Sequence, residues 1–254
     1  MGEGSLYLAV VPAYNESETI ATVVRALREH APRFDTLVID DGSTDATAAI
    51  ARSAGARVLR LPFNLGIGGA VQTGFVYARE HDYDYLAQVD GDGQHDSLEL
   101  ERLIATMEEE AVDVVCGSRF LTDDHHYPAP VSRRTGIHIF AFLLSRIVKM
   151  RVSDPTSGFR LYNRRAIELF ARNYPHDYPE VEAVLILHRH RLRMCETPVR
   201  MYTRGGGVSS IGTGKSAYYM VKVLLALFVG LARPRTGITA DSGELAAVSA
   251  EHAV

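Results

Sequence analysis

The stretch "LAQVDGDGQHD", Leu86–Asp96, decides how the rest of the chain is read. An apolar run ends abruptly in Asp90, Asp92, Gln94, His95 and Asp96. Carboxylates crowded this closely repel one another, so a positive charge is expected beside them, and a divalent metal is the leading candidate. Asp90 and Asp92 flank Gly91, so an extended backbone directs both side chains the same way. Hard oxygen ligands with open positions suit Mg²⁺ or Mn²⁺ bound jointly with a substrate diphosphate. Gln94 adds a neutral oxygen as a third candidate ligand. His95 reads as structural, and Asp96 as the cap of a helix opening near Leu98. The local alternative is that Asp and Gly simply form a turn.

Working outward, apolar strands alternate with helical periodicity. Strands are expected at 6–11, 36–40, 57–61, 85–89 and 112–116, with helices at 18–29, from a cap at Ser43 or Thr44 to Gly55, at 68–80 and at 98–109. This pattern predicts an α/β fold with a doubly wound, mostly parallel sheet. Ligands of such sheets gather at the carboxyl ends of the strands. Three acid-bearing clusters fall there: "PAYNE" at 12–16, "DDGSTD" at 40–45 and "DGDGQHD" at 90–96. Any one of them reads as a turn; three on neighbouring strand ends point to a shared crevice.

After residue 117 the alternation breaks. A loop at 118–135, a helix at 137–150, a strand at 159–163, a helix at 181–190 and a strand at 194–199 are expected. A loop at 203–216 and an almost wholly apolar helix at 217–232 follow. That helix would be roughly 24 Å long, short of the ~30 Å hydrocarbon core. It is therefore expected either in the core or lying on a membrane surface. A single domain over 1–232 and a disordered tail over 233–254 complete the organisation.

The net charge of −4 conceals an asymmetry. Residues 1–113 carry 20 acids against 8 bases, and residues 114–254 carry 11 against 19. This suits a cation-binding first half and a second half facing an anion. Two cysteines, Cys116 and Cys195, with no CxxC spacing, fit a reducing compartment without disulfides or a zinc site. No signal peptide is read at the N-terminus.

"VVPAYNE", "VIDDGSTD" and "QVDGDGQHD", in this order, resemble the inverting glycosyltransferases of family 2, which have the GT-A fold. The polyprenyl-phosphate and dolichyl-phosphate sugar transferases are the most similar subgroup. "GSRF", "DPTSGFRLYNRRA" and "ETPVRMYTR" extend the resemblance over about residues 6–230. It implies a UDP- or GDP-hexose donor whose nucleoside pocket is lined by Pro12, Ala13, Tyr14 and Glu16. Asp41, with Asp40 sharing its role, would lie near the base and ribose. Asp90, Asp92 and Gln94 would hold the metal on the donor diphosphate, with Gly91 between them. Gly69, in "LGIGGA" at 65–70, would pack near the sugar diphosphate. That stretch imitates a dinucleotide fingerprint, but Val71 stands at the third glycine position, which disfavours a dehydrogenase.

A hydroxyl acceptor needs a general base, whereas a phosphate monoester, with a second pKa of about 6, arrives as an anion and needs cations. Arg119, Arg133, Arg134 and Arg160 are the candidates, with Arg204 and Lys215 on a loop that could close over the site. "GTGKS" at 212–216 lacks the first P-loop glycine, which would fall at Ser209. Asp154 matches a carboxylate that the family places near the reacting centre, as base or acceptor-orienting group. Glu180 and Glu182 stand where hydroxyl-acceptor members carry a Glu-Asp pair, which favours a lipid phosphate. The expected setting is cytoplasmic, peripheral at the inner face of the plasma membrane. A separate membrane-anchoring protein and a homo-oligomer remain open, and no nucleic-acid partner is expected. The alternatives are a hydroxyl acceptor, and a nucleotide-sugar-binding partner that docks a membrane protein through 217–232.

Overall fold

The computed structural model describes residues 4–121, 131–176 and 179–202, and only the backbone of 131–139. The loop and apolar helix expected over 203–232, the tail, Arg204 and Lys215 lie outside the described residues. In chain order the elements are β1 (Tyr7–Ala13), α1 (Ile20–His30), β2 (Phe34–Asp40), α2 (Thr47–Ser53), β3 (Arg57–Arg60), α3 (Gly66–Glu80) and β4 (Tyr85–Gln88). A 3₁₀ turn (Ser97–Glu99) then leads to α4 (Leu100–Glu110), β5 (Val114–Ser118), α5 (Val131–Val148), β6 (Arg160–Asn163), α6 (Arg164–Arg172), α7 (Pro179–Arg189) and β7 (Met194–Pro198).

The seven described strands form one sheet in the order β3-β2-β1-β4-β6-β5-β7. All pairs are parallel except those of β6, which runs antiparallel to both β4 and β5. The alternation of the first half correctly predicts a parallel sheet. The insertion of β6 between β4 and β5 follows from no local pattern. α6 also went unread, because "RRAIELFAR" looks like a charged continuation of the strand before it. Its start is fixed by Asn163, whose side chain accepts from the Ala166 N–H. The cap expected at Ser43 or Thr44 is corrected: Asp45 accepts from the Thr47 N–H at the start of α2.

Because successive strand residues face opposite sides, β1 supplies two cores. Leu8 and Val10 pack with Val71, Phe75, Leu86, Tyr162 and Phe170 under α3, α6 and α7. Tyr7, Ala9 and Val11 pack with Ile20, Val24, Leu27, Leu100 and Leu103 under α1 and α4. Phe75 anchors the first core, its ring 4.9 Å from Tyr162 and 5.3 Å from Phe170. The order β3-β2-β1-β4 reverses direction at β1. The chain therefore has a switch point between β1 and β4, where their carboxyl ends part and leave a crevice.

Candidate active site

The loops after β1 and β4 meet at this switch point. Thr19 ties them together: its hydroxyl lies 2.7 Å from the Gly91 carbonyl and 3.1 Å from Glu16 Oε2. The two contacts share one hydroxyl proton. A side chain at Gly91 would sit 3.1 Å from the Pro12 carbonyl and close to Ala13 and Glu16. The bare glycine lets the acidic loop lie close on "PAYNE". Tyr14 stands at the surface, 46% exposed. Pro12, Ala13, Glu16, Gly91 and the Asp90/Asp92 loop are thus brought together.

The antiparallel strand supplies the opposite wall. Gln88 pairs with Arg160 across β4 and β6, and continuing that register sets Asp90 opposite Gly158. A Cβ on Gly158 would meet both Asp90 carboxylate oxygens, at 3.3 and 3.4 Å. The Asp90 side chain is about one-third exposed. His95 faces inward. It is enclosed, stacks on Phe159 at 4.7 Å, and its Nδ1 accepts from the Asp90 N–H. Desolvation pushes its pKa down to about 4; Asp92 and Asp154 oppose the shift, and Arg119 adds to it. The ring is therefore neutral with its proton on Nε2, which lies 3.6 Å from Asp90 Oδ2. Asp92 Oδ1 accepts from the Gln94 N–H, and Asp96 caps the 3₁₀ turn through the Leu98 N–H, as expected.

Arg119 leaves the end of β5 and grips Asp154 in a two-pronged pair. Its Nε lies 2.7 Å from Oδ2 and its Nη2 2.8 Å from Oδ1. Asp154 is fully enclosed and also accepts from the Arg119 N–H and the Thr156 hydroxyl. Both of its oxygens face donors, so the geometry suits orienting Arg119 and leaves Asp154 poorly placed to take a proton.

Three expectations are corrected. Asp40 is wholly buried, accepting from Ser43 N–H and pairing with Arg60, and so cannot reach a ribose. Asp41 is also enclosed, its oxygens accepting from the Leu65 and Gly66 N–H groups. These bonds pin the turn into α3, and burial raises the carboxyl above its ordinary value even against them. Arg160 is a core residue, 1% exposed, donating to the Ser157 and Glu180 carbonyls. Its Nη1 has no hydrogen-bond partner among the described residues. It can only support the site from behind. Gly69 lines a cavity of about 290 Å³ with Leu65, Val76 and His176, whose mostly apolar walls do not suit a diphosphate. Arg133 lies on α5, where only backbone is described.

Sequence reasoning missed Gly158, Thr19 and Glu196. Glu196 lay inside "ETPVRMYTR", but nothing local marks its partner, which is 42 residues away.

The whole arrangement has recognisable relatives. A model of glycosyl transferase family 2 matches residues 8–170. The undecaprenyl-phosphate mannosyltransferase of Micrococcus luteus is 32% identical over 244 residues, 91% of this chain and 99% of that protein. A UDP-N-acetylglucosamine–dolichyl-phosphate N-acetylglucosaminyltransferase of Methanococcus voltae is 27% identical, over 80% of this chain and 88% of that one. Glucosyl-3-phosphoglycerate synthase of Mycobacterium tuberculosis, solved with Mn²⁺, UDP and glucosyl-3-phosphoglycerate, superposes with a TM-score of 0.67. At 21% identity, over 92% of this chain and 82% of that one, it shares the fold. The sheet, the switch-point crevice and these matches agree with the GT-A architecture expected from the motifs, and the chain belongs to glycosyl transferase family 2.

Proposed function

We propose that the protein moves a hexose from a UDP- or GDP-linked donor to a polyprenyl phosphate, with inversion, at a divalent metal. The observation that carries this reading is the meeting of an open carboxylate loop and a buried arginine–carboxylate pair around one neutral histidine. The mannosyltransferase and N-acetylglucosaminyltransferase relatives support a lipid-phosphate acceptor.

Asp90 and Asp92 fit a hard cation such as Mg²⁺ or Mn²⁺, since the donors offered are carboxylate oxygens and His95 already accepts from main chain. Among the described residues no three His, Cys, Asp or Glu side chains form a complete cage, so the ion would share its coordination with donor diphosphate. Gln94 would add a neutral oxygen. When bound, the ion supplies stabilisation for the negative charge growing on the departing nucleoside diphosphate. Pro12, Ala13, Tyr14 and Glu16 would seat the nucleoside. Gly91 lets the acids approach it. Arg119, held in plane by Asp154, would draw the acceptor phosphate toward the anomeric carbon, with Arg133 and Arg204 as further cations. A phosphate oxygen already charged attacks without a general base.

Attachment at the membrane surface fits α5, which buries Phe140 and Leu144 and leaves Phe142 and Leu143 exposed. Among the described residues no helix is long and apolar enough to cross a membrane. The deciding test incubates the protein with a panel of nucleotide sugars, Mn²⁺ or Mg²⁺, and either a polyprenyl phosphate or water. Release of nucleoside diphosphate that depends on the lipid is the expected outcome, and release indifferent to it would overturn the proposal.

One observation favours a second acceptor class. Burial raises the Glu180 carboxyl above its ordinary range; Arg160 opposes the shift, Asp90 adds to it, and Arg119 opposes it too. A raised carboxyl at this edge could deprotonate a hydroxyl. Glu180→Gln would abolish turnover in that case and largely spare it for a phosphate acceptor.

A further inference from the structure

Glu196 lies on β7, at the sheet edge beyond Arg119 and Asp154 in the chain's fold. One carboxylate oxygen accepts from the Ser153 N–H at 2.9 Å and the Asp154 N–H at 3.0 Å. The other accepts from the Ser153 N–H at 2.8 Å and the Ser153 hydroxyl at 2.6 Å. One acceptor thus fixes both the backbone and the side chain of the residue preceding Asp154.

The direction of the remaining protons follows by elimination. Ser153 gives its hydroxyl proton to Glu196, so in its 2.7 Å contact with Ser118 it must accept. Ser118 then donates to Ser153, and its own oxygen accepts from the Phe120 N–H. The chain of donors runs Phe120, Ser118, Ser153, Glu196. It starts on the segment that carries Arg119, passes through Ser153 beside Asp154 and ends on Glu196 of β7, and it has one direction only if Glu196 is a pure acceptor. A carboxylate meets that condition. A glutamine amide does not, because its NH₂ would oppose either the Ser153 N–H or its hydroxyl.

We propose that Glu196 is a positioning residue of the transfer reaction, an ionised acceptor that holds the Arg119 and Asp154 segments in register. This rests on the function proposed above, because Arg119 is the group whose placement it controls. Glu196 itself touches no reacting atom.

The test is a double-mutant cycle on the full chain with Glu196→Gln and Arg119→Ala. Its first readout is the Nε–H resonance of Arg119, assigned by its loss in Arg119→Ala, and it needs no substrate. Its second is lipid-dependent release of nucleoside diphosphate, separated into kcat and KM. In Glu196→Gln the Arg119 resonance should move and exchange faster. Its kcat should fall about 10- to 100-fold, as expected for a misplaced group, with KM for the nucleotide sugar within about twofold. The double variant should be no slower than Arg119→Ala alone. An unmoved Arg119 resonance, or losses that multiply, would overturn the proposal. Should Glu196→Gln not fold, Ser153→Ala removes only the hydroxyl link. It should also move the Arg119 resonance, and an unmoved signal there is equally fatal. A wild-type protein without lipid-dependent turnover would refute the proposed function instead, while the resonance still decides the role of Glu196.

Discussion

In the parallel half of the sheet, strand-end acids bond mainly to main-chain N–H groups. Asp41 holds Leu65 and Gly66, Asp40 holds Ser43, and Asp45 holds Thr47. In the half rearranged by β6, acids meet charged side chains or gather several donors on one group, as Asp154 does with Arg119 and Glu196 with Ser153. The first half builds a shape, a rim of loops held by main-chain bonds. The second builds a field, in which buried charges fix one guanidinium. Asp90 and Asp92 sit on the seam between them. The distinction has energetic content: a lost acceptor for local N–H groups is partly replaced by water, whereas a broken buried ion pair leaves a charge stranded.

The contrast is tested most severely at Asp154. Asp154→Ala should lower stability by about 3–5 kcal/mol in denaturant titrations, because Arg119 loses its buried partner. A loss no larger than that of Asp41→Ala would erase the difference between the two halves. On the seam, Asp92→Asn should leave far-ultraviolet circular dichroism unchanged while cutting turnover by about 10²–10³, the scale of losing one preorganised electrostatic contact. Full activity would refute the metal assignment. In the parallel half, Asp41→Ala should reduce stability by about 1–3 kcal/mol by leaving two turn N–H groups without their acceptor.

A smaller effect probes the approach of the two walls. Gly158→Ala brings a methyl against Gln88 Nε2 and the Asp90 carboxylate, and a shift of a few tenths of an ångström should cost about 10-fold in turnover with little loss of stability. Wild-type turnover would show that the Asp90 carboxylate tolerates displacement. The smallest effect is one of pH. Burial raises the Glu196 pKa above 4.5, more than the bonds from Asp154 and Ser153 lower it. The folded chain then binds that proton more tightly than the unfolded chain. Its contribution to stability is present below pH 4.5 and is lost as the pH rises through the raised value. The stability of wild type relative to Glu196→Gln should therefore decline across that window in denaturant titrations. A relative gain instead would mean that the hydrogen bonds, and not desolvation, set the proton affinity. In this reading the fold retains an unfavourable charge where positioning requires one.

Much of this was legible before the structure. Short apolar runs marked β1 to β5 and the 3.6-residue period marked α1 to α4, because central strands bury both faces and each helix buries one. The carboxylate loop was legible because its acids are neighbours in the chain. Asp40 and Arg160 misled for one common reason: a charged residue beside a strand end looks the same whether it faces a ligand or a buried partner.

The sequence by itself determined the layered α/β architecture, the family and the acid loop that ends β4, since each depends on residues close together along the chain. The tertiary structure alone decided that β6 enters antiparallel between β4 and β5. It alone set Gly158 against Asp90, enclosed Asp154 with Arg119, and hung both segments on Glu196. These contacts join residues 35 to 68 positions apart. Long-range pairing of this kind is fixed by which buried charges and donors can be mutually satisfied once the sheet has closed, and no local periodicity encodes it.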